Sequence, residues 1–308
     1  MKPHQHYLAL IISLTILAIP ITASSQRSTP IPTEPTELPT QDTFSQSDLS
    51  IITANTQRPN GITWHNGKLY TACSGDWTIY EIDPDEKTTA QYIYGVRNAH
   101  SLLGRSIDGQ DELWIPDFQQ NSLVRIRQGT VATITSTLEG PWGIAALDDG
   151  DFLVSNLLSN NVVRITPSGD TQEVISDLRS PTGIAVSNDI IFVANTGSTR
   201  RAIEWYSLDP DSSATSGILV SGIQNTTGIT LADDGHLYFA YALGTRGVVG
   251  RVNPDECIEA NGCTHNEVEI VIYTELPAPL AGLTISPDSR LYIHTMFSPD
   301  IYWVQLNN

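Results

Sequence analysis

His100 and Asp117 are the two side chains of this sequence best suited to shared chemistry. An imidazole beside a carboxylate can act as general base or hold a metal ion, so both are candidate catalytic residues. Asn60 adds a side-chain oxygen, which makes Asn60, Asp117 and His100 a candidate ligand set for a divalent cation such as calcium or zinc. Six arginines, Arg58, Arg97, Arg179, Arg200, Arg201 and Arg246, suggest a different chemistry, because guanidinium forks match carboxylates and phosphates. Trp142 and Tyr241 can stack on a sugar or another flat group, and Asn156 and Asn195 can hydrogen-bond a ligand or tie the backbone together. The sequence contains no G-x-S-x-G, H-E-x-x-H, C-x-x-C or phosphate-binding glycine loop, so these familiar catalytic frames are absent.

The elements that must position these residues are repeats. A glycine-anchored unit recurs about every forty residues. It reads GITWHNGKLYTA from Gly61, GIAALDDGDFLVSN from Gly143, GIAVSNDIIFVAN from Gly183, GITLADDGHLYFAY from Gly228 and GLTISPDSRLYIHT from Gly282, with a further copy from Ser101 in which serine takes the glycine slot. Each copy is a short apolar strand, a turn with Gly, Asn or Asp, and a second strand rich in aromatic and β-branched residues. The expected fold is all-β: a six-bladed β-propeller of four-stranded antiparallel blades over residues 48–308. The last copy supplies three strands before the chain stops, and LSIITA (Leu49 to Ala54) has no blade of its own, so this N-terminal strand is expected to complete the last blade.

Strand polarity sorts the loops. Residues before each opening glycine and residues after each second strand share one rim, and every candidate above falls on that rim. The opposite face collects acidic turns such as Asp148-Asp149, Asp233-Asp234 and Asp83-Pro84-Asp85-Glu86.

The Pro-x-Gly-Ile openings (Pro141-Trp142-Gly143-Ile144, Pro181-Thr182-Gly183-Ile184) and Asn60-Gly61-Ile62 resemble NHL-repeat propellers. They are also similar to the SMP-30/gluconolactonase and virginiamycin B lyase-like groups. Asn156, Asn195 and the VRI of Val124 to Ile126 and Val163 to Ile165 extend the likeness. The resemblance implies a fold and, for gluconolactonase-like members, a divalent metal held by Glu, Asn and Asp at the channel mouth. Of the slots before the opening glycines only Asn60 matches that asparagine, and the matching aspartate is absent.

Thirty-four Asp and Glu against sixteen Lys and Arg give a formal charge of -18, which repels phosphate backbones and excludes nucleic acid as an expected partner. Lys2 and the apolar stretch Leu8 to Ile19 have the form of a signal peptide over residues 1–23, and residues 24–47 form a Pro/Thr-rich linker without hydrophobic pattern. In an exported chain, secreted outside the cell or into a periplasm, Cys257 and Cys263 are expected to form a disulfide, with no membrane span once the signal is removed. Cys73 is expected to be a small buried side chain.

These features point to a monomeric binding module whose mouth takes a small anionic or carbohydrate-like ligand or an extracellular protein. The alternative is a metal-dependent lactonase, hydrolase or lyase using the same mouth.

Overall fold

The computed structural model describes residues 43–209 and 215–306. The signal segment and residues 24–42 of the linker lie outside the described residues. Blade 1 consists of Pro59–His65, Lys68–Cys73, Thr78–Asp83 and Thr88–Tyr94, each strand antiparallel to the next. Blades 2 to 5 open with Leu103–Ile107, Pro141–Ala146, Pro181–Ser187 and Ile229–Leu231, and each continues through three further strands in the same order. Blade 6 holds Gly282–Ile285, Arg290–His294 and Ile301–Gln305, and its outer strand is Ser50–Thr53, paired antiparallel with Ile301–Gln305. The first strands pack in succession from blade 1 to blade 6 and back to blade 1. The protein is therefore the expected six-bladed propeller, closed by its N-terminal strand.

The repeat's glycine has a steric cause. A Cβ on Gly143 would lie 2.5 Å from the Thr182 carbonyl oxygen, and one on Gly183 would lie 2.7 Å from the Ile229 nitrogen. The next blade's backbone passes so close that no side chain fits between inner strands. Hydroxyls then stitch the blades together at this level: Thr182 Oγ1 donates to the Thr226 carbonyl at 2.8 Å, and Thr227 Oγ1 to that of Leu280 at 2.6 Å.

The core is a ring of apolar clusters between neighbouring blades. Trp114 of blade 2 and Phe152 of blade 3 sit 4.1 Å apart between ring centroids, and Ile52, Ile62, Tyr292 and Ile301 pack where blade 6 meets blade 1.

Two details correct the expected boundaries. Residues 43–47 are not linker: Phe44–Ser45 adds a parallel strand to Glu269–Pro277 at the outer edge of blade 5. Phe44 packs on the cluster between blades 5 and 6, and Thr43 Oγ1 donates to the Ile270 carbonyl at 2.8 Å. Blade 4 gains a parallel edge strand as well, Cys263–Thr264 beside Ser216–Ser221. It follows a short helix, Pro254–Glu259, started by the Asn253 side chain, which accepts from Asp255 and Glu256 N–H. Cys257 and Cys263, with Cα atoms 5.1 Å apart, are joined by a disulfide across this excursion. Both additions cover edges that would otherwise offer unpaired backbone groups. Among the described residues, no helix is long and apolar enough to cross a membrane.

Candidate functional site

The first strands enclose a central cavity of about 260 Å³. The residue after each opening glycine lines it, so that Ile62, Leu102, Ile144, Ile184, Ile229 and Leu283 form an apolar ring. The mouth lies at the start of these strands, where His100, Trp142 and Thr227 join the lining.

His100 and Trp142 come from the strand openings of adjacent blades, and their rings stack at 3.5 Å with an interplanar angle of 3°. Phe118, which follows the second strand of blade 2, meets both edge-on, 5.5 Å from His100 and 6.0 Å from Trp142. Burial pushes the His100 pKa down to about 4, so the ring is neutral at pH 7. Its Nδ1, the Trp142 Nε1 and the Asn60 Oδ1 are buried and have no hydrogen-bond partner among the described residues. The Asn60 amide nitrogen donates to Asn98 Oδ1 at 2.5 Å, which holds the Asn60 side chain in place.

Asp117 is engaged differently. Its carboxylate accepts five donors: the backbone N–H groups of Arg97, Asn98, Gln119 and Gln120, and the Gln120 side-chain amide. It thereby fixes the loop that enters blade 2. Asn156 and Asn195 do the same for the next two blades, accepting from the N–H groups of Glu139 at 3.3 Å and Arg179 at 3.0 Å. The same slot in blade 1 holds Cys73. Burial raises its thiol pKa to about 12, while the Gln57 backbone N–H, directed at the sulfur, works in the opposite direction. Tyr241 takes the slot in blade 5 and is a core residue between blades 4 and 5, centred 5.6 Å from Phe239.

Five donors on one buried carboxylate make a testable demand. Asp117→Ala leaves them unpaired and is expected to cost about 3 kcal/mol or more in denaturant unfolding. Asp117→Asn is expected to cost well under half of that, because blades 3 and 4 run on asparagine. Equal losses for the two variants would contradict this assignment.

The arginines divide in two. Arg246 pairs with Glu275 at 3.1 Å, Arg200 pairs with Glu204 and donates to the Asp177 carbonyl, and Arg179 donates to the Leu178 carbonyl at 2.8 Å. Arg58, Arg97 and Arg201 are exposed and make no ion pair among the described residues, although the Arg97 guanidinium lies 5.3 Å from the Trp77 ring centre.

His294 was not singled out by sequence reasoning. It is fully buried near the axis, and its Nε2 lies 3.2 Å from where a Cβ on Gly282 would stand. Burial takes its pKa down to about 4, opposed by the nearby carbonyls of Thr295 and Pro59, neither of which completes a hydrogen bond of good geometry. Phe118 was missed too. The available signal for both was register: His294 faces the opening glycine of its blade, and Phe118 follows the Asp117 slot.

No protein-family model matches the sequence, and no curated protein does. Solved structures match the fold. A gluconolactonase from Xanthomonas campestris aligns at 15% identity with a TM-score of 0.64, covering 84% of this chain and 89% of its own. Virginiamycin B lyase from Staphylococcus aureus aligns at 21% identity with a TM-score of 0.55, covering 80% and 81%. A calcium-binding regucalcin from Agrobacterium tumefaciens aligns at 12% identity with a TM-score of 0.64, covering 86% and 95%. The chain shares their propeller. At these identities the likeness is one of fold, and fold does not carry function by itself.

A divalent metal of the kind that this fold implies needs at least three convergent N or O donors. Among the described residues no group of three His, Cys, Asp or Glu could hold one. Asp117 is occupied by N–H donors, which leaves Asn60 Oδ1 and His100 at the mouth. The residues present do not fit the metal.

Proposed function

We propose that this protein is a binding module that takes a small carbohydrate-like ligand, best one carrying an acidic group, at the mouth of its channel. The observation that carries this reading is the set of three buried, unpartnered polar atoms at the mouth: Asn60 Oδ1, His100 Nδ1 and Trp142 Nε1. Each such atom costs stability unless something pairs with it. Sugar hydroxyls both donate and accept, so they could serve the Asn60 oxygen and the Trp142 N–H together. The aromatic group of Trp142, His100 and Phe118 offers apolar area beside them. Arg58, Arg97 and Arg201, exposed and without an ion pair among the described residues, give a carboxylate on the ligand a reason to lie at the rim. The Cys257–Cys263 loop supports an oxidising compartment, extracellular or periplasmic, for a monomeric and exported chain. An extracellular protein with an acidic loop would meet the same arginines.

Titration calorimetry with neutral sugars, aldonic acids and uronic acids tests the proposal. One class should bind, and Trp142→Ala should weaken it at least tenfold with little change in melting temperature. If none of them binds at millimolar concentration, the proposal fails. The other reading, a calcium- or zinc-dependent lactonase or lyase, draws support from the gluconolactonase and regucalcin likeness. Elemental analysis of the purified protein decides it: one metal per chain, lost in Asn60→Ala or His100→Ala, would favour the enzyme.

A further inference from the structure

Blade 2 carries a charge imbalance on the face it turns toward blade 3, away from the mouth. Arg105, Glu112 and Arg127 stand side by side on three adjacent strands, and Arg125 pairs with Trp114 one row away. Glu112 is 1% exposed and accepts from Trp114 Nε1 at 2.9 Å. The guanidiniums of Arg105, Arg125 and Arg127 lie 3.6, 3.8 and 3.4 Å from its oxygens, near enough to pair by charge but too far for good hydrogen bonds.

Other partners do not restore the balance. Arg105 is sandwiched against the Trp114 and Phe152 rings at 4.6 and 4.3 Å and donates through Nη1 to the Gly150 carbonyl. Arg127 meets the neutral amide oxygen of Gln110. The Nε atoms of Arg105 and Arg125 are buried and have no hydrogen-bond acceptor among the described residues. Among the described residues, three positive charges thus share one negative charge in a protein whose formal charge is -18.

The other blades show that this is not the habit of the repeat. Arg164 stands in blade 3 where Arg125 stands in blade 2, and it meets both Asp149 and Asp151. Arg251, in the same position of blade 5, meets Asp234 and Glu269. The hydrogen bond that Arg164 donates to Asp151 raises the Arg164 pKa, and those that Arg251 donates to Glu269 raise its own, whereas desolvation and the neighbouring Arg125 lower Arg105 despite Glu112. Two blades surround one arginine with two acids, and blade 2 does the reverse.

We infer that the Arg105–Arg125–Arg127 cluster of blade 2 is a binding site for a small oxyanion of the phosphate or sulfate type, distinct from the channel mouth. The surplus of two positive charges matches a doubly charged anion, and guanidinium N–H groups are the donors such oxygens favour. The site is reachable, since the side chains are 17, 32 and 36% exposed. Glu112 sets its affinity by competing for the same guanidiniums.

Inorganic phosphate, titrated against sodium chloride at matched ionic strength, is the probe, with melting temperature and calorimetry as readouts. Phosphate should raise the melting temperature where chloride does not. The shift should vanish in Arg125→Gln/Arg127→Gln and persist in part in Arg125→Lys. Glu112→Gln should bind phosphate several-fold more tightly, an outcome that a merely structural cluster would not produce. If phosphate and chloride act alike on the wild-type protein, or the double glutamine variant keeps the full shift, the inference is wrong. The glutamine pair lies at the partly exposed end of the cluster, so it decides the matter even if Glu112→Gln folds poorly.

Discussion

Acidification from pH 7 to pH 4 is expected to remove about 3 kcal/mol of unfolding free energy for each of His100 and His294. The folded protein holds both pKa values at about 4, below the ordinary 6.5, because burial penalises the charged ring. Between pH 6.5 and 4 the unfolded chain takes up protons that the folded chain refuses, so unfolding gains ground as the pH falls. Above pH 6.5 both states are neutral at these positions and the contribution is fully present. Below pH 4 the loss is complete. Denaturant unfolding at half-unit pH steps measures the slope. His100→Phe keeps a ring against Trp142 and removes the titration, so it should remove about half of the histidine contribution to the slope, and His294→Gln should remove a similar share. Carboxylates protonate in wild type and variants alike, and the difference between curves isolates the histidines. Equal slopes for wild type and the double variant would sink the assignment. The same neutrality bears on the proposed ligand: a mouth whose histidine stays uncharged should bind alike from pH 8 down to about pH 5.5.

What the sequence made legible was whatever the repeat enforces. Opening glycines mark places where the next blade's backbone leaves no room for a Cβ, as at Gly143 and Gly183, so the packing constraint is written directly into the chain. The slot after each second strand was legible as a position, and Asn156 and Asn195 serve the backbone there as expected. Asp117 occupies the same slot, and it is the slot that points to a structural role for it, since by residue type alone an aspartate near a histidine looks alike whether it faces a substrate or five N–H groups. Departures from the repeat were hidden. Phe44–Ser45 pairs with a strand more than two hundred residues away, and no local pattern announces a parallel edge contact of two residues. Tyr241 was assigned to the mouth by its position after the second strand of its blade, yet a bulky ring in a slot otherwise held by small side chains turns into the space between blades. The Arg105, Arg125 and Arg127 cluster was equally opaque, because its residues converge through cross-strand register and not through spacing along the chain.

Removing the closing strand should have the largest effect of all. Ser50–Thr53 is the N-terminal strand of blade 6, and it brings Ile52 into the cluster shared with Ile62, Tyr292 and Ile301. A chain beginning at residue 57 leaves Ile301–Gln305 as an open edge, exposes that cluster and frees the two halves of the seam from each other. The Thr56 hydroxyl, which donates to the Pro299 carbonyl at 2.7 Å, goes with it. A domain of this size has about 5–15 kcal/mol in hand, and losing a strand that closes the ring should exceed it. The expected result is a chain without a cooperative melt by circular dichroism. A chain beginning at residue 47 loses the short parallel pairing, the Phe44 contact and the hydrogen bonds of Thr43 and Gln46 to the outer strand of blade 5, and should keep its cooperative melt with a loss of about 1–3 kcal/mol. A peptide spanning residues 47–58, added to the shorter chain, should restore part of the transition, because the vacated edge of blade 6 still presents its ladder. A cooperative melt in the chain from residue 57, within a few degrees of the full protein, would mean that the ring holds without its closing strand.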